Sequence, residues 1–282
     1  MRAEAHDVWH SVVIEIEVGC TFEFETARDT HAIVMVEPHF SEIGRVSETR
    51  FEISPHSPSN VYRDQFGNTC RRVNLSAGPV TMTFAAQVSA LEDPDPTVEF
   101  AEERTPAELP DEALMFVLPS RYCESDRMAG DVISLFGHVQ PGWERVQAIS
   151  DWVHNSVRFA YGESSPSYSA LDVFESRVGV CRDFTHLAIA MCRALNIPAR
   201  YVFGYLPDIG VPDPGTPMDF CAWMEVYLGD TWHTFDPRNN ERRIGRTVIG
   251  RGRDTADVAM VTSFGPVQLN SMTVVALQKV EA

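Results

Sequence analysis

Arg177-Val178-Gly179-Val180-Cys181-Arg182-Asp183-Phe184-Thr185-His186-Leu187 is the stretch on which the reading of this 282-residue chain turns. From it onward, Phe184, Leu187, Ala188, Met191 and Leu195 keep the i, i+3, i+4, i+7 spacing of one helix face, and Asn196 and Pro198 close the run. The spacing predicts an amphipathic helix with Cys181 in its first turn, behind a glycine-containing loop. At a helix start the backbone N–H groups have no intrahelical partner and the dipole presents its positive end, so a thiol there ionises more readily. Cys181 is therefore a candidate nucleophile for acyl transfer, against the alternative of a small buried hydrophobe. Asp183 reads as a first-turn acid, and His186, about 140° around the helix from Cys181, as a packing or capping residue.

Outward from this helix the pattern is different on each side. In Ile14-Glu15-Ile16-Glu17-Val18 and Phe22-Glu23-Phe24-Glu25 apolar and acidic residues alternate at period two, which puts one strand face on a core. Further strands are expected at Ala32 to Val36, Arg50 to Ile53, Thr69 to Leu75 and Val80 to Val88, with turns at Pro55 to Pro58 and Asp64-Gln65-Phe66-Gly67-Asn68. Short strands so closely spaced suggest a β-sandwich. From Leu91 to Pro110 acidic residues and prolines prevail, which suits a connection and not a central strand or helix. Beyond Pro119, Trp143, Val146, Ile149, Trp152 and Val153 mark another helix. After the Cys181 helix, strands are expected at Ala199 to Tyr205, Cys221 to Leu228 and Thr231 to Phe235, the last two joined at Gly229-Asp230. The fold expected is α+β: an N-terminal β-sandwich-like domain over residues 1–100, a linker over 101–118 and a second domain over 119–282.

Composition narrows the function. Forty acidic residues against 23 basic ones leave a net charge of -17, which repels phosphate backbones and anionic lipid, so no nucleic-acid partner is expected. No apolar run is long enough for a membrane span or a signal-peptide core, and Glu4, Asp7, Glu15 and Glu17 occupy the first residues, so a soluble, cytoplasmic protein is expected. The six cysteines are scattered without a CxxC pair and predict reduced thiols. No metal-ligand spacing occurs, and Gly245 to Gly252 lacks the Lys and Ser/Thr of a phosphate loop, so neither metal nor cofactor is implied.

Two more stretches complete the pattern, Asp219-Phe220-Cys221-Ala222-Trp223-Met224-Glu225-Val226-Tyr227 and Trp232-His233-Thr234-Phe235-Asp236-Pro237-Arg238-Asn239-Asn240. With the Gly-Val-Cys-x-Asp-Phe-x-His-Leu helix start and the Ile-Pro-Ala-Arg-Tyr-Val-x-Gly-Tyr strand at Ile197 to Tyr205, the sequence resembles the bacterial transglutaminase-like proteins, papain-like cysteine enzymes. The likeness covers about Pro119 to Gly265, and the Asp64 to Asn68 turn with its flanking strands looks like the β-domain commonly found ahead of that catalytic domain.

The resemblance implies a papain-like catalytic domain and a Cys-His-Asp triad, whose members fall on Cys181, position 221 and Asp236. Position 221 is cysteine, not histidine. What the resemblance implies is thus a thiol hydrolase or acyl transferase acting on a peptide or isopeptide amide through Cys181, with Cys221 in the place of the base and Asp236 as the orienting acid. The alternative is a catalytically silent module that keeps the cleft to bind peptides or act as a scaffold and is redox-sensitive through Cys181 and Cys221. His233 alternates away from Asp236 along its strand and is wrongly aimed to replace the imidazole. Tyr161 and the Cys181 N–H are candidates for an oxyanion hole, and the Leu206 to Phe220 loop for the pocket wall.

Overall fold

The computed structural model describes residues 12–279, so Glu4 and Asp7 lie outside it. Strand β1 (Val13–Thr26) joins the two alternating stretches into one, with Ile14, Ile16, Val18, Phe22 and Phe24 on its buried side. It is followed by β2 (Thr30–Val34), β3 (Val46–Ser54), β4 (Asn60–Arg63), β5 (Thr69–Leu75) and β6 (Gly78–Leu91). Residues 92–110 contain neither helix nor strand, as their prolines dictate. The helical part comprises α1 (Asp111–Leu114), α2 (Ser125–Phe136), α3 (Trp143–Ser156), α4 (Ala170–Ser176) and α5 (Cys181–Ala194), with the short strands β7 (Arg158–Phe159) and β8 (Val178–Gly179) between them. Then come β9 (Ala199–Tyr205), β10 (Cys221–Leu228), β11 (Thr231–Phe235), β12 (Thr247–Gly252), β13 (Val261–Ser263) and β14 (Val267–Gln278).

Helix α5 starts at Cys181 and is buried on every side from Asp183 to Arg193, with α2, α3 and α4 packed on it and β9 and β10 beneath it. Its one buried cation, Arg193, is held by carbonyls: Ala199 O at 2.8 Å, Arg253 O at 2.7 Å and Leu118 O at 3.2 Å. The antiparallel sheet under α5 has the order β11-β10-β9-β12 and is distinct from both N-terminal sheets, so among the described residues 12–100 and 199–236 share no sheet.

The chain's end departs from the expected division. Strands β13 and β14, which the sequence reading did not anticipate and whose residues it counted in the second domain, complete the N-terminal sheets: β14-β1-β6-β3 and β13-β2-β5-β4. The cause is pairing across more than two hundred residues, from Thr26↔Val267 to Ile16↔Gln278. This sets Val274 beside Cys20 and Ala276 beside Val18 on the buried face of the sheet and leaves much of β14 in water, as suits an edge strand.

The two parts meet along β9 and β12. Tyr205 Oη donates to Val36 O at 2.9 Å, and its ring lies 6.5 Å from that of Phe84. The Asp64 to Asn68 turn acts as a dock. Asp64 accepts the N–H groups of Phe66 and Asn68, both at 2.9 Å, and aims the fully buried Asn68 amide at β12. That amide donates to Arg251 O at 2.8 Å and accepts Arg251 N–H at 2.7 Å, as a neighbouring strand would.

Candidate active site

Glycine and aspartate on either side of Cys181 shape the helix start. A Cβ on Gly179 would lie 2.6 Å from the Asp183 Cβ, so only glycine lets that side chain fold back over the loop. There the Asp183 carboxylate accepts the Val180 N–H at 2.9 Å, a hydrogen bond from Ser164 Oγ and the Arg182 guanidinium at 2.8 Å. Asp183 is fully buried and fixes the turn, the role expected of it. His186 is also fully buried, its ring stacked on Tyr122 at 5.2 Å and its Nε2 accepting the Thr255 N–H at 3.2 Å.

Cys181 and Cys221 come together. Cys181 opens α5, Cys221 opens β10 opposite Gly204, and the Cys181 sulfur lies 3.9 Å from Phe220 O. A hydrogen bond from Cys221 holds the Cys181 thiol below its ordinary value, and the same bond, with burial and the nearby Asp236 charge, pushes Cys221 well up. The other four thiols are pushed up by burial, Cys20 and Cys123 to about 12, Cys70 to about 11 and Cys192 higher still. Cys181 is thus the one cysteine of six whose environment favours the thiolate. All six are unbridged.

Asp236 is buried at the end of β11, but it reaches Cys221 only through an intermediary. Its Oδ1 accepts the Asn239 N–H at 2.9 Å; its Oδ2 accepts Asn239 Nδ2 at 2.8 Å and Arg246 Nη2 at 2.9 Å. Asn239 Nδ2 lies 3.8 Å from the Cys221 sulfur. Arg246 is itself held by Asp95 at 2.8 Å, a residue of the proline-rich connection, and its guanidinium lies 4.8 Å from the centre of the Trp223 ring. The paired carboxylates raise the Arg246 pKa against the opposing effect of burial. Sequence reasoning missed Arg246 and Asp95. Asn239 stood in the quoted Trp232 to Asn240 stretch, whereas Asp95 and Arg246 carry no local signal beyond a charge among prolines and an arginine beside a glycine.

Two cavities meet at the cysteine pair, sharing Tyr161, Cys181, Asp219, Phe220 and Cys221 as walls. The smaller, about 180 Å³, runs under the Leu206 to Asp219 loop and is edged by Asp208, Arg238, Glu241 and Arg243. The larger, about 780 Å³, runs toward β1 and β14 and is walled by Phe22, Phe24, Tyr201, Phe203, Val267 and Leu269 among others. Asp208 is paired with Arg243 at 2.7 Å, while Asp219 has no cation partner among the described residues and burial raises its pKa. Among the described residues no histidine lines either cavity. His233 is turned away, its ring 5.6 Å from that of Trp143 and its Nε2 donating to Leu228 O at 3.2 Å. Among the described residues no cluster of three or more His, Cys, Asp or Glu side chains could hold a metal, and no helix is long and apolar enough to cross a membrane.

The family model of the transglutaminase-like superfamily matches residues 134–237, which include Cys181, Cys221 and Asp236. An uncharacterized protein of Mycobacterium leprae is 27% identical over 261 residues, 89% of this chain and 90% of that protein. An uncharacterized protein of Mycobacterium tuberculosis is 27% identical over 248 residues, 83% of this chain and 69% of its own length. The crystal structure of a candidate cysteine protease from Cytophaga hutchinsonii, 28% identical, superposes with a TM-score of 0.84 over 96% of this chain and 93% of the other. That structure spans the β-sheets as well as the helical part, so the similarity extends over both. With a helix-start cysteine at the junction of two cavities, these similarities identify residues 134–237 as a transglutaminase-like domain and give the whole chain the fold of the Cytophaga hutchinsonii structure.

Proposed function

We propose that the protein is a thiol hydrolase or acyl transferase whose Cys181 attacks the carbonyl of a peptide or protein amide. The observation that carries this reading is the ionisation pattern: one thiol of six is favoured as thiolate, and it is the one at the helix start and in the cleft. Of the pair Cys181 gives up its proton first, so the proton that remains is on Cys221. In the first half-reaction the Cys181 sulfur forms the C–S bond, the C–N bond breaks, and the amine departs with the proton donated by Cys221. In the second, water or another amine attacks the thioester, the C–S bond breaks, and the attacking group's proton returns to Cys221 as the thiolate is restored. The first N–H of α5 to meet a local carbonyl is that of Asp183, at 2.8 Å from Val180 O; those of Cys181 and Arg182 precede it, and on this reading they receive the developing oxyanion. Asp236, clamped by Arg246 and Asn239, positions Asn239 against Cys221 and does not itself take the proton.

A second reading, a silent peptide-binding module, draws on the lack of an imidazole among the described residues that line both cavities. Incubation with p-nitrophenyl acetate separates the two. The acyl-transfer reading expects one acetyl mass on the Cys181 peptide, none in a Cys181→Ser variant, and renewed nitrophenol release as the thioester turns over. No acetyl on Cys181 and no release above buffer would leave the silent module.

A further inference from the structure

The two cavities at Cys181 differ in size and chemistry, and we infer that the larger seats a bulky aromatic or aliphatic group attached to the reacting carbonyl, which makes the β-sheets a specificity element. This rests on Cys181 being the group that is acylated. Both chain neighbours of Cys181, Val180 and Arg182, line the larger cavity and neither lines the smaller, so a group bonded to the sulfur at the helix start lies in the larger one. That cavity's charged walls are Arg182 and Asp219, and Arg182 is already engaged by Asp183, Ser164 Oγ at 3.0 Å and Ser165 O at 2.9 Å. The rest is largely apolar, with Phe22 and Phe24 from β1, Val267 and Leu269 from β14 and the segment from Ala256 to Val261 opposite Tyr201 and Phe203. At about 780 Å³ it falls in the roughly 300–1,000 Å³ range of sites that enclose a whole small ligand, so it has room for more than one side chain. The smaller cavity, with its arginines and carboxylates, is left for the polar side of the amide and the incoming acceptor.

Phe22, Phe24, Val267, Leu269 and the 256–261 segment all lie outside the matched 134–237 core. The core supplies the nucleophile, and the β-sheets select what is bonded to it. A polar or charged acyl group would leave its hydrogen-bonding atoms without partners against Phe22, Phe24 and Val267.

Cys181 alkylation tests this without a substrate or turnover. Iodoacetamide, N-benzyl-iodoacetamide and its ring-sulfonated analogue are compared by peptide mass spectrometry on the full chain, each rate divided by that of the same reagent with free cysteine. The benzyl reagent should exceed iodoacetamide by about tenfold, the yield of roughly 60 Å² of apolar surface at about 25 cal/mol per Å², and the sulfonate should show no such gain. Ala259→Trp fills the cavity and Leu269→Glu charges its half-exposed rim; each should bring the benzyl-to-iodoacetamide ratio toward one, and because the ratio is taken on the same thiol, a change in its ionisation cancels. A wild-type ratio near one, or a ratio that both variants leave intact, overturns the inference. If iodoacetamide itself labels Cys181 no faster than the buried Cys192, the nucleophile reading fails, which is a separate result.

Discussion

Replacing Cys221 with alanine removes the S–H that donates to the Cys181 sulfur, and the consequence for Cys181 can be worked out. Hydrogen bonds to charged groups are worth about 1.5–3 kcal/mol, and a thiol is a weak donor, so the lower end applies. About 1.5 kcal/mol is about tenfold in the ratio of thiolate to thiol at a fixed pH below the ionisation. A more basic thiolate is also a better nucleophile, with a Brønsted slope of about 0.4–0.5, which returns about threefold of that loss. The net expectation at about pH 6 is alkylation of Cys181 three- to fourfold slower than in the wild type, and at fully ionising pH about threefold faster. The two rate–pH curves should therefore cross, and the inflection of the variant should lie on the alkaline side, since the lost bond favoured the charged form. The assay is iodoacetamide labelling followed by peptide mass spectrometry, with Cys192 as the slow internal control. Cys221→Ser keeps a donor and should follow the wild type. Superimposable wild-type and alanine curves, or an alanine variant faster at neutral pH, would refute the account of a thiol pair sharing one proton.

Cys221→His should raise amide turnover, toward the roughly 10²-fold lower bound of a positioned base, measured on a panel of peptide amides; a wild type that already turns over and a variant that gains nothing would rule out the silent module. Arg246→Met leaves the Asp236 carboxylate buried with its cation gone, and urea unfolding should show a loss of about 3–5 kcal/mol, much of it regained when Asp236→Asn is added. A loss below about 1 kcal/mol would mean that the Asp95-Arg246-Asp236 chain does not hold this region. Hydrogen peroxide at low concentration should oxidise the Cys181 thiolate to a sulfenic acid with release of water, and the Cys221 thiol should then displace a second water to form the S–S bond, with Cys181 reappearing on addition of dithiothreitol. Non-reducing peptide mapping that recovers Cys181 and Cys221 only on separate peptides speaks against so close a pair.

How far the sequence carried can be seen residue by residue. Alternation in β1 and the apolar spacing of α5 were legible because each is local, set by side chains two to four positions apart. Cys181 was legible through its place at the helix start, and its nearness to Cys221 through the family resemblance. In the Asp95-Arg246-Asp236 chain the first link joins positions 151 residues apart and the second positions 10 apart, and nothing in a period of two or 3.6 registers either. Strand β14 was missed for a related reason. As an exposed edge it has little apolar alternation to read, and its partner β1 lies at the other end of the chain. The Asp64 to Asn68 turn was read as a turn, while its purpose, presenting Asn68 to β12, depends on a surface formed by residues 247–252.

The pairing of β14 with β1 has a mechanical consequence. The chain leaves the β-sheets at Leu91, opposite Val13, re-enters them through β13, where Val261 stands opposite Val34, and reaches the far end of β1 where Val267 stands opposite Thr26, so the residues between are flanked by fastenings at the two ends of a single 14-residue strand. At about 3.3 Å per residue those fastenings stand about 43 Å apart. A body hung from one tether can swing like a door, whereas one fastened at two distant points is held as by a bracket, and Asn68 adds a third fixing between them. The wall of Phe22, Phe24, Val267 and Leu269 and the sulfur of Cys181 therefore keep a constant spacing, so that the width of the larger cavity is a property of the fold and its selectivity that of a gauge.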